Sequence, residues 1–169
     1  MRKGCRERYL KQITAVITTK RKYPTGYLVV GEYRLSLEIQ KDILDILDHS
    51  EVTSSHIDFN NYKDEDECLI VMKKAKKQLS EDRQSGKLLI LVITNFDRFN
   101  AKKMDAVKQL ISCQAIGINL LVSANVALVH LVGLTEYMIT VDSTAKVLSK
   151  FYRYNTQQVI YSLHNESLV

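Results

Sequence analysis

Two patterns of apolar and polar positions repeat along this chain: short apolar runs, and longer stretches with helical periodicity. Residues 88–93, LLILVI, are apolar without alternation, as in a central strand covered on both faces. INLLVS, residues 118–123, and YLVVG, residues 27–31, read as further buried strands, and EYMITV, residues 136–141, as another. Residues 51–59, ending in Ile57-Asp58-Phe59, predict an edge strand. QQVIYSL predicts a last strand, and the partly alternating, β-branched YLKQITAVITT, residues 9–19, an early one. Between these runs the period changes. In residues 36–48, Leu37, Ile39, Ile43, Leu44, Ile46 and Leu47 keep mostly helical spacing, with Asp42, Asp45 and Asp48 on the opposite side. Residues 62–84 start acidic at Asp64–Glu67 and turn basic at Lys73–Lys77, which suits a helix dipole; Ser85-Gly86 closes that helix. Residues 101–113 predict another helix, and 125–132 and 145–151 two short ones. Strands that alternate with helices argue for right-handed crossovers. The expected fold is α/β, a mostly parallel sheet flanked by helices.

The chain has 169 residues, 46% of them hydrophobic, with one Pro and six Gly, which fits a single compact domain. No apolar run approaches the ~20 residues that cross a bilayer, so direct membrane insertion is not expected. The charge is uneven. Residues 1–24 hold eight Lys and Arg against Glu7 alone, whereas the remainder is slightly acidic. We therefore divide the chain into a basic segment, 1–24, an added strand or a linker, and an α/β domain, 25–169. No aromatic interleaving or nucleic-acid module accompanies the basic charge, so nucleic acid is not the expected partner. Cys5, Cys68 and Cys113 lack metal or redox spacing, and His49, His56, His130 and His164 have no ligand spacing with one another or with a cysteine. Tyrosines outnumber phenylalanines nine to four; Tyr33, Tyr137, Tyr152, Tyr154 and Tyr161 are candidates for a contact surface.

The order strand, Gly31, helix matches the frame in which a glycine-rich loop wraps phosphate, Lys neutralises it and Ser or Thr binds magnesium. The chemistry is missing. After Gly31 come Glu32, Tyr33, Arg34, Leu35 and Ser36, read as the rest of the loop, with no second glycine and no lysine at its end. Each Cβ crowds the backbone nest, and Glu32 repels a triphosphate. Arg34 offers a positive charge and Ser36 a hydroxyl. At the end of LLILVI, where a metal-orienting acid is expected, stands Thr94; Asp97 follows three residues later, a turn or helix-capping position.

LLILVITNFDRF resembles the second ATPase motif of the FtsK/SpoIIIE-type translocases, an Asp-Asn-x-Asp pattern filled here by Thr94, Asn95, Phe96 and Asp97. AIGINLLVSAN, residues 115–125, resembles the next strand of that family, with Ser123 and Asn125 at its polar sensor-like positions. VVGEYRLSLEIQKDIL resembles a worn form of the phosphate loop and its helix. The likeness covers roughly residues 25–145. It implies a P-loop NTPase fold of the RecA-like type, with a degenerate nucleotide site at Gly31, Glu32, Arg34, Ser36, Thr94, Asp97 and Asn125. Compact, degenerate modules of this kind are typical of the EssC/EccC-type coupling proteins of type VII secretion. The resemblance thus implies a C-terminal, non-catalytic module at the cytoplasmic face of the membrane, within a larger membrane-anchored protein. Its implied partners are secreted protein substrates and neighbouring ATPase domains of the same chain. No cofactor is expected, and ATP with magnesium only if the site is still competent. The alternatives are a divergent active NTPase using Arg34, Ser36 and Asp97, and a nucleic-acid motor module using residues 1–24.

Overall fold

The computed structural model describes residues 26–30, 33–47, 50–99, 103–124, 137–140 and 158–162. Their strands are β1 (Gly26–Val30), β2 (Val52–Asp58), β3 (Leu88–Thr94), β4 (Asn119–Ala124), β5 (Tyr137–Thr140) and β6 (Gln158–Ser162). Their helices are α1 (Tyr33–Ile46), α2 (Glu65–Glu81) and α3 (Lys103–Ala115). The strands form one sheet in the order β2-β3-β4-β1-β5-β6, and every ladder among them is parallel. The expected α/β architecture is present, with β2 at an edge and the uninterrupted apolar runs of β3 and β4 inside. The strand read at 9–19 and the short helices read at 125–132 and 145–151 lie outside the described residues.

One expectation needs correction. The phosphate-loop frame places residues 33–36 in a loop, but α1 starts at Tyr33. No glycine or proline stands among Tyr33, Arg34, Leu35 and Ser36, so nothing there halts a helix.

Handedness sorts the helices. From β1 the chain crosses to β2 at the far edge, then steps back through β3 to β4. Right-handed crossovers in opposite directions place α1 on one face of the sheet and α2 and α3 on the other. Side-chain burial agrees. Leu89, Leu91 and Ile93 of β3 and Leu120, Val122 and Ala124 of β4 join Cys68, Met72, Ala75 and Leu79 of α2 and Ala106, Val107, Leu110 and Cys113 of α3 in one apolar cluster. The alternate positions turn the other way: Leu88, Ile90, Val92 and Thr94 on β3 and Asn119, Leu121 and Ser123 on β4 are buried on the α1 face.

The α2 terminus is fixed by its own sequence. The Asp64 carboxylate accepts from Glu67 N–H at 2.9 Å, and the Glu67 carboxylate accepts from Lys63 N–H at 2.8 Å. The first bond satisfies a donor that the first turn leaves open, and the second ties the residue before the cap to the helix. After α2, Gly86 adopts φ 74°, a left-handed conformation that disfavours side chains and lets the chain turn into β3.

Candidate functional site

In a parallel sheet, ligands gather at the carboxyl ends of strands where successive crossovers diverge. Here that point lies between β1 and β4. The chain leaves β1 toward β2 and leaves β4 toward β5, on opposite sides. Register aligns the ends: Val30 pairs with Ala124, and Ile93 with Val122. The positive end of the α1 dipole belongs to the same edge.

The connection is very short. β1 ends at Val30 and α1 begins at Tyr33, leaving two residues between them. A phosphate loop has four residues between its glycines before Gly-Lys-Ser/Thr. Two residues are too few to close backbone donors around a phosphate. Arg34 is exposed on the first turn of α1, and Ser36 also falls in that turn. Gly31, Glu32 and Asn125 lie outside the described residues.

The end of β3 is built around hydrogen bonds rather than around an open acid. Thr94 is fully buried, and its Oγ1 lies 3.4 Å from His56 Nε2 on β2. Asn95 follows with φ 57°, and its Nδ2 donates to Asp58 Oδ1 at 3.0 Å. The same Asp58 oxygen accepts from Asn60 N–H at 2.9 Å, capping the short 3-10 turn Phe59–Asn61. Phe96 N–H donates to Ser123 O at 3.1 Å, which ties the turn to β4. Arg98 donates to the carbonyls of Phe59 and Tyr62, and its guanidinium stacks 4.8 Å from the Phe99 ring centroid. Asp97 is half-buried in this corner. Of the seven residues singled out from the sequence, Thr94 and Asp97 are therefore brought together at one strand end, and Arg34 and Ser36 share the first turn of α1.

Three residues that shape this end of the sheet were not singled out as site residues. Asp58 is one, and in the β2–β3 register it stands opposite Thr94. His56 stands two residues earlier, on the same face of β2. Partial desolvation lowers the pKa of His56, while the nearby Asp58 carboxylate pulls it up more weakly. The alternation of His56 and Asp58 was visible in the sequence; their cross-strand partners were not. Gln40 is the third. It is 1% exposed, and its Nε2 donates to Ile93 O at 3.2 Å and Leu121 O at 3.3 Å. One amide thus straps α1 across β3 and β4. A polar residue three and seven positions before the buried Ile43 and Leu47 is the sequence signal for it.

The position on β3 where a phosphate-loop ATPase carries its metal-orienting carboxylate differs here. Thr94 offers a buried hydroxyl beside an imidazole, and the following position carries an amide held by Asp58. Among the described residues, no group of three or more His, Cys, Asp or Glu side chains is arranged to hold a metal.

The parallel sheet with helices on both faces is an α/β fold that has a counterpart among solved structures. The solved structure of PCH-2 from C. elegans is similar, with a TM-score of 0.57 and 11% identity. The match covers 83% of this chain and 43% of PCH-2, so the chain spans less than half of that protein. By sequence, the chain belongs to the family of the uncharacterized protein pXO2-33 of Bacillus anthracis. The two are 45% identical over 162 residues, covering 96% of this chain and 92% of the relative. No protein-family model matches the chain.

Proposed function

We propose that this chain is a non-catalytic ATPase-like module that works through its surface, in substrate recognition or inter-domain regulation of a protein secretion motor. One observation carries the non-catalytic part. The strand end where a metal-orienting carboxylate belongs holds a buried Thr94 against His56, followed by Asn95 tied to Asp58. The two-residue link between β1 and α1 supports it independently. The secretion part draws on the resemblance of LLILVITNFDRF and AIGINLLVSAN to the FtsK/SpoIIIE-type motifs, together with the parallel α/β fold.

Two measurements test the two parts separately. Purified chain is expected to release no phosphate from ATP and magnesium above the buffer rate, with or without Asp97→Ala. Turnover lost on Asp97→Ala would restore the divergent NTPase reading. Deleting the gene in its source organism is expected to remove particular proteins from the culture medium. Complementation with Asp97→Ala should restore them, since no catalysis is required. An unchanged set of secreted proteins would overturn the secretion reading and leave the fold untouched.

A further inference from the structure

On the face away from α1, an open groove of about 470 Å³ runs between α2 and α3. Lys73, Lys76, Lys77 and Ser80 form one wall, and Gln109 and Ser112 form the other. The first four stand at i, i+3, i+4 and i+7, one stripe of α2. The Lys76 ammonium donates to the Ser112 hydroxyl, a neutral partner that bridges the groove. Lys73 and Lys77 are exposed beside it. Three ammonium groups and two hydroxyls thus converge on one concave surface.

The chemistry narrows the ligand. Lysine is a compact point charge with three rotatable donors, suited to phosphate oxygens. No arginine lines the groove, so its cationic donors are all lysine ammonium groups. Length is limited as well. Residues 73–77 span about 6 Å of helix axis. The exposed Asp64, Asp66 and Glu67 flank them at one end of α2, and Glu81 and Asp82 at the other. A long polyanion laid along α2 would meet these carboxylates, whereas a short one would not. The volume suits a small ligand rather than a duplex.

We propose that the α2–α3 groove binds a short, metal-free phosphate chain, the diphosphate or triphosphate of a small molecule. This assignment is independent of the proposed secretion role and of the β3 end, which lies on other elements.

Titration calorimetry of the full chain with inorganic tripolyphosphate, with pyrophosphate and separately with ADP, all without magnesium, tests it. Saturable binding is expected at low salt. The Lys73→Ala/Lys77→Ala chain should bind about tenfold or more weakly, and so should the parent chain at about 150 mM salt. Unchanged circular dichroism of the double variant confirms that the loss is local. Tripolyphosphate binding at least as tightly as pyrophosphate shows that the phosphate chain is read; ADP binding more tightly than pyrophosphate, which has the same number of phosphates, shows that a nucleoside adds to it. Absence of saturation overturns the proposal. So does a double variant that binds like the parent, an Arg34→Ala chain that loses as much affinity, or a Glu-rich peptide of matched charge that binds more tightly than any of the probes.

Discussion

The two faces of β3 and β4 are made from the same strands and differ in kind. Toward α2 and α3 every position is apolar: Leu89, Leu91 and Ile93 pack with Leu120, Val122 and Ala124 under Met72, Leu79 and Leu110. Phe59 and Phe96 close that core, their ring centroids 5.4 Å apart. Toward α1 the buried set includes Gln40, Thr94, Asn119 and Ser123. Asn119 donates to Leu89 O at 3.1 Å, and Gln40 to two further carbonyls. The first face is held by dispersion and by water exclusion, which are non-directional. The second buries Leu88, Ile90, Val92 and Leu121 as well, and adds placed hydrogen bonds, which are costly to leave unmade. The second face ends at the divergence point of the sheet, where Thr94 lies beside His56 and Asn95 donates to Asp58.

Truncating each face in turn sharpens this contrast. Leu110→Ala opens a cavity beneath β4 and should cost about 2–5 kcal/mol, read from urea unfolding. Gln40→Ala removes both strap bonds and should cost less, about 1–3 kcal/mol. If the second variant is the more damaging, the apolar face is not the main source of stability.

Proton linkage separates the faces more finely. On the apolar side, burial pushes the thiols of Cys68 and Cys113 from 9.0 up to about 11. The folded chain therefore holds these protons where the unfolded chain has lost them. Their contribution is complete below pH 9 and disappears as the pH rises toward 11. Thermal melts should fall across that window, and Cys113→Ala should flatten the fall. On the polar side the sign is reversed. His56 is held below its ordinary 6.5, so the fold favours the neutral ring. That contribution is present above pH 6.5 and is lost as the pH drops through the depressed value. A small acid-side loss that persists in His56→Gln would show that another group is responsible. This is the smallest of the four effects, since the imidazole is partly solvated.

The sheet was legible because its signals are local. LLILVI and INLLVS need no partner to announce burial on both faces, and the mixed pattern of residues 51–59 marks β2 as an edge. The acidic start of α2 was equally plain, and its cap at Asp64 uses the residues that suggested it. The start of α1 was misplaced because a phosphate-loop frame suggested a loop where only helix-compatible residues stand. The corner at β3 was half legible. Thr94 and Asp97 could be counted from the strand, but their surroundings are set by register. Only the pairing of Asp58 with Thr94 brings Asp58 within reach of Asn95. Gln40 was passed over because the helix pattern was counted on its apolar members.

The proposed function rests on the end of β3 not accepting a metal-bound nucleotide. Amide chemical shifts recorded during titration with magnesium and ATP test it at residue resolution. The account predicts that Thr94, Asn95, Phe96, Asp97 and the first turn of α1 stay unmoved. Saturable, magnesium-dependent shifts centred on those residues would contradict it.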